Sequence, residues 1–107
     1  MAKKPSKQVT NVETGTVTSS HTVTANTYAK KQENVINIYL AINGVTCSAN
    51  DTIANLPSGF APSSNMVVIG NDTDKNILFF TVRNSGAVQS QSALSNKDVR
   101  ILFTIIT

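Results

Sequence analysis

Tryptophan is absent from this chain, cysteine and histidine occur once each, and only six residues are acidic. A single cysteine, Cys47, excludes an intramolecular disulfide and suits a reducing compartment during folding. With His21 as the only histidine, neither a catalytic triad nor a His-based metal cluster can be assembled within one chain. The six acids fall mostly in loop-like stretches and none lies on a periodic apolar segment, so no carboxylate pair is set to flank a glycosidic bond. Apolar runs are short, none approaching the roughly 18 residues of a membrane span. Met1-Ala2-Lys3-Lys4-Pro5 lacks the apolar core of a secretion signal, so the glycosylation-like triplets Asn50-Asp51-Thr52 and Asn71-Asp72-Thr73 carry no weight. The expectation is a protein that is not an enzyme, holds no cofactor or metal and does not insert into a membrane.

Charge is scarce as well, at 14% of the residues, and its net value of +3 is local. Lys3, Lys4 and Lys7 supply the excess, and beyond them six basic residues balance six acidic ones. A neutral body without a basic stripe argues against a nucleic-acid partner. Residues 1 to 8 read as a disordered basic arm or linker stub, and residues 9 to 107 as one domain. Thr, Ser and Asn number 36, supplying the polarity that charge does not and favouring strands and turns over helices.

What is present is strand periodicity. In Val35 to Asn43, Ile36, Ile38, Leu40 and Ile42 share one face while Val35, Asn37, Tyr39, Ala41 and Asn43 share the other, which predicts a long strand with its aliphatic row on the core. Before it, Thr16 to Ser19 and Thr22 to Tyr28 read as thinly buried strands, the second joined to Val35 by a polar turn over Lys30 to Asn34. Asn43-Gly44 fits either a hairpin or a bulge within a continuing strand. Further strands are expected at Asp51 to Asn55, Met66 to Ile69, Ile77 to Arg83, Ala87 to Gln91 and Val99 to Ile106. Gly70 to Asn76 reads as a polar loop, and Gly86 as the left-handed residue of a three-residue hairpin loop. The last strand is apolar on both faces, with Val99, Ile101, Phe103 and Ile105 on one and Leu102 and Ile106 on the other. It is either central to the fold or pressed against another subunit. Seven to nine short strands without helical period predict an all-β, antiparallel, jelly-roll-like β-sandwich.

Leu56-Pro57-Ser58-Gly59-Phe60-Ala61-Pro62-Ser63-Ser64 stands apart. Two prolines around a glycine and one aromatic exclude a helix or a central strand, so the segment is a corner. Pro57 and Gly59 stand where a type I turn wants them, and Phe60 is expected to plug one end of the core. This "leucine-proline-x-glycine-aromatic-x-proline-serine" corner resembles that of the C-terminal head domains of bacteriophage tail-fibre, baseplate and receptor-binding proteins, with Ala61 where a basic residue is frequent. Tyr28 to Val35 resembles the same family's aromatic-x-(basic)-x-Gly-Asn-Val hairpin, with Glu33 where glycine is common. Val82 to Val88, with Asn84 and Gly86, resembles its penultimate hairpin, and the closing apolar strand completes a likeness over residues 15 to 107. The resemblance implies a homotrimer in the virion, at the tail tip or baseplate, made in the host cytoplasm and contacting other tail or baseplate proteins. It implies host attachment through a bacterial surface saccharide, or a purely architectural role.

A saccharide is held by an aromatic face beside hydrogen-bonding side chains. Tyr28 and Tyr39, with Asn37, Asn71 and Asp72, are the candidates, and packing at a subunit interface is the competing role for Tyr39. Asp72-Thr73-Asp74-Lys75-Asn76 imitates the start of a calcium loop, but Ile77 replaces the required glycine and Arg83 the closing glutamate, leaving an Asn/Asp-shaped turn. His21 reads as a surface residue and Cys47 as a small buried one.

Overall fold

A computed structural model describes residues 11–107. The basic arm over residues 1 to 8, and Val9, lie outside the described residues. The strands, in chain order, are β1 (Glu13–Gly15), β2 (Thr22–Val23), β3 (Tyr28–Gln32), β4 (Val35–Cys47), β5 (Thr52–Asn55), β6 (Met66–Asp72), β7 (Ile77–Val82), β8 (Ala87–Ser90) and β9 (Leu94–Ile106). Among the described residues there is no helix, and every strand pairing is antiparallel, as the periodicity predicts. The strands join in one continuous sheet, ordered β1-β3-β4-β9-β6-β7-β8-β5, with β2 also on β4. They are not divided by their hydrogen bonds into the two separate sheets of a sandwich. The sheet curls instead: Thr18, just past the β1 edge, exchanges two backbone hydrogen bonds with Asn55 at the β5 edge, at 3.0 and 2.8 Å.

The alternating apolar residues of β4 and β9 meet in register at the centre. Ile36 faces Ile105, Ile38 faces Phe103, Leu40 faces Ile101 and Ile42 faces Val99, and all eight are buried. Val68 of β6, Leu78, Phe80 and Val82 of β7, Val88 of β8 and Ile53 of β5 complete the inner face. Burying aliphatic side chains of this size contributes about 1.5–3 kcal/mol each, so these rows dominate the favourable side of folding.

Three local differences from the sequence reading have physical causes. The turn before β4 is only Glu33–Asn34, because Gln32 still pairs with Val35; Glu33 takes φ of +57°, a conformation glycine adopts at no steric cost. Of the strand expected over Thr22 to Tyr28 only its two ends pair, since Thr27 closes a turn by donating its N–H to the Thr24 carbonyl. Gly70 does not end β6, which runs on to Asp72 with Gly70 between Leu78 and Ile101. A Cβ at Gly70 would lie 2.6 Å from the Arg100 carbonyl oxygen and 3.0 Å from the Phe80 ring, so its lack of a side chain lets β6 approach β9.

Asn43-Gly44 is a bulge, not a hairpin. Asn43 and Gly44 together oppose Asp98, Gly44 lies at φ +69°, and its N–H donates to Asp98 Oδ1 at 2.9 Å. The corner turn is displaced by one residue from the expected type I geometry. The Phe60 N–H donates to the Pro57 carbonyl, which puts Gly59 third in the turn at φ +86°, the type II position that favours glycine. Phe60 is buried in the core as the expected plug, and Lys31 reaches over its ring while donating from Nζ to the Gly59 carbonyl at 3.1 Å. Gly86 is left-handed as expected, at φ +94°.

Two substitutions test this packing by urea denaturation. Phe60→Ala is expected to lower stability by about 3–5 kcal/mol through an unfilled cavity. Gly70→Ala is expected to lower it by about 1–3 kcal/mol, because the added methyl meets the Arg100 carbonyl oxygen of the backbone together with the buried side chains of Ile101 and Phe80.

Candidate functional site

Turning one face of β4 and β9 inward commits their remaining residues to the outer face, and the register extends that face across five strands. Tyr28 of β3 lies beside Tyr39 of β4, and Tyr39 beside Leu102 of β9. The next row is Lys30, Asn37 and Thr104, and the one after it Gln32, Val35 and Ile106. On the other side of Tyr39, Ala41 pairs with Arg100, Arg100 with Asn71 and Asn71 with Ile77.

Within this face the tyrosines form a tilted pair, with ring centroids 6.0 Å apart and planes at 38°. Lys30 Nζ stands 5.0 Å above the Tyr28 ring, a cation–π geometry that places an ammonium donor over one face of that ring. The exposed Asn37 accepts a hydrogen bond from the Thr104 hydroxyl at 2.7 Å, which orients its amide across the strand gap. Together Tyr28, Tyr39, Lys30, Asn37 and Thr104 offer half-exposed rings beside an ammonium, an amide and a hydroxyl. A sugar ring presents apolar C–H faces and hydroxyl edges, and this combination matches both.

Of the candidates named from sequence, Tyr28, Tyr39 and Asn37 are brought together. Asn71 shares their face two strands away from Tyr39, its amide donating to the Asp72 carbonyl at 2.8 Å. Asp72 is placed elsewhere, because alternation sends it inward, where it is 2% exposed. Its Oδ1 accepts from the N–H groups of Asp74 and Asn76 and its Oδ2 from the Asn76 amide, all at 2.9 Å. Those bonds explain the whole calcium-like stretch: Asp72 shapes the turn between β6 and β7, with Lys75 left-handed at φ +71°. The Asn76 side-chain amide and then its backbone N–H hold the Asp72 carboxyl below the ordinary carboxylate value, against the opposing effect of burial. His21 and Cys47 are half-buried; the Cys47 thiol lies 3.9 Å from the Ser92 carbonyl oxygen and Cys47 packs on the core.

Lys30 and Thr104 were missed by sequence reasoning, since only the register sets them beside Asn37. Also missed was an apolar group on the same outer face: Val67 and Ile69 of β6, and Ile77 and Phe79 of β7. A signal for it existed in Ile77-Leu78-Phe79-Phe80, which is apolar on both faces just as Val99 to Ile106 is.

The chain matches no protein-family model, and no curated protein is significantly similar to it. The phage-head resemblance therefore stands on its motif residues alone.

The buried carboxylate has a pH signature. Because its folded pKa lies below the ordinary 3.8, Asp72 contributes stability that is fully present above that pH and lost as the pH falls through the lower folded value. Denaturation midpoints measured at pH 7, 5 and 3 are expected to drop between pH 5 and 3, and the drop is expected to be smaller in Asp72→Asn.

Proposed function

We propose that this chain is the head domain of a phage host-attachment protein, a homotrimer at the tail tip or baseplate that binds a bacterial surface saccharide. The observation that carries the reading is the clustering of Tyr28, Tyr39 and Asn37, with Lys30 and Thr104, on one exposed face. The motif residues support it too: Gly59 and Glu33 both have positive φ, at the corner and the hairpin where the resembled family carries glycine. A shallow site of two tyrosines holds a sugar weakly, and several copies on one virion multiply that affinity through avidity. The role is recognition rather than catalysis, and the other partners are tail and baseplate proteins.

A second reading is an architectural module that joins tail or baseplate proteins and holds no sugar. It is favoured by the exposed side chains Leu102 and Ile106, each 65% exposed on a strand that is otherwise central to the sheet.

A glycan array, paired with adsorption of the isolated chain to candidate host cells, decides between them. Binding to a saccharide is expected, with Tyr39→Ala weakening it at least tenfold, a loss of about 1.4 kcal/mol. Binding to no cell and no saccharide would leave the architectural reading standing.

A further inference from the structure

Val67, Ile69, Ile77, Phe79 and Leu102 form one uncovered apolar patch on the outer face of β6, β7 and β9. Ile69 pairs with Phe79, and Ile69 and Leu102 each sit one residue past the Gly70–Ile101 pair, so the three lie across adjacent strands. Their exposures run from 46% for Phe79 to 69% for Ile77. Side chains of this size leave on the order of 100 Å² each at such exposure. With neighbouring Ile106 the open area reaches about 600 Å², the top of the range for the largest patch on a monomer.

We propose that this patch is the surface through which copies of this chain pack on one another. With its polar rim of Asn71 and Thr81, it approaches the roughly 800 Å² per partner that a stable protein interface buries. Three copies related by a threefold axis each turn these aliphatic rows toward the axis, where the rows of the three sheets interdigitate and leave water. Each copy brings the same face. Electrostatics permit the meeting: the outer-facing residues from Val67 to Asn71, from Ile77 to Thr81 and from Arg100 to Ile106 include one ionic group, Arg100. That guanidinium is turned to Asn43 Oδ1 at 3.0 Å and to the Val99 carbonyl at 2.9 Å. Copies meeting here face no row of like charges, and a charged partner finds no opposing row to select it. The sheet edges offer less, because β1 is three residues long and the β5 edge is engaged at Asn55 by Thr18.

This inference rests on the oligomeric part of the proposed function and is independent of sugar binding. Its test is light scattering on size-exclusion chromatography, and sedimentation at several concentrations, of the full chain and of Ile69→Asp/Phe79→Asp, with Ser63→Asp as a control on another surface. The wild type and Ser63→Asp are expected at three times 11.4 kDa. The double variant is expected at the single-chain mass with an unchanged circular-dichroism spectrum, since both side chains are already largely exposed in one chain. Should it fail to fold, the milder Ile69→Thr/Leu102→Thr is expected to weaken association at least tenfold. An oligomer whose mass and association constant are unmoved by the folded variants overturns this interface and leaves the oligomer intact. A wild type that stays monomeric at about 100 μM overturns both. Monomeric wild type that co-sediments with phosphatidylglycerol vesicles, and loses that binding in the double variant, overturns the assignment in favour of a lipid surface.

Discussion

Four facing pairs along β4 and β9 hold this protein together: Ile36 with Ile105, Ile38 with Phe103, Leu40 with Ile101 and Ile42 with Val99. Both strands are thirteen residues long and each has a neighbour on both sides, so every other element is placed by reference to them. A slip of one residue would turn an entire aliphatic row to solvent, which makes the register strongly specified. The bulge at Asn43-Gly44 then bends the pair without losing that register, because Gly44 absorbs the extra residue in a left-handed conformation and Asp98 accepts its N–H. Beyond it a second irregularity, with Asn96 at φ +51° and its N–H donating to Thr46 Oγ1, continues the bend. The curl that brings Asn55 to Thr18 follows from such local increases in twist.

The Pro-Ser-Gly-Phe corner works as a stopper for this curled sheet. Phe60 fills the core while Gly15 clears the space above it: a Cβ at Gly15 would come within 2.9 Å of the Pro57 Cβ and 3.2 Å of the Phe60 ring. Lys31 lies on the same side of β3 as buried Ala29, yet its ammonium stays wet by running its stem over the Phe60 ring to the Gly59 carbonyl. The backbone N–H of Leu56 donates to the Gly86 carbonyl at 2.8 Å, tying this corner to the hairpin loop between β7 and β8.

One outer face carries both functional readings. Its β3–β4 half is aromatic and hydrogen-bonding, and its β9–β6–β7 half is apolar. The division follows from composition: β3 and β4 alternate aliphatic with Tyr, Lys and Asn, whereas β7 and the end of β9 place apolar residues on both faces. A surface divided this way can join copies by one half and leave the tyrosine half open to solvent, so assembly and recognition do not compete for the same side chains.

Much of this was legible along the chain. Alternation in Val35 to Asn43 determined the strand, its core row and the side on which Tyr39 lies, because successive side chains of an extended backbone must point to opposite faces. The two prolines around Gly59 determined a corner, and the lone aromatic there determined its plug. Periodicity is a local property, and it says nothing of which strand lies beside which. Tertiary pairing alone set Tyr28 and Lys30 beside Tyr39 and Asn37, turned Asp72 inward to shape its own loop, and chose the bulge over the hairpin at Asn43-Gly44. It also decided that the second apolar face of Val99 to Ile106 stays uncovered by the rest of the described chain, since cover depends on contacts between residues distant in sequence.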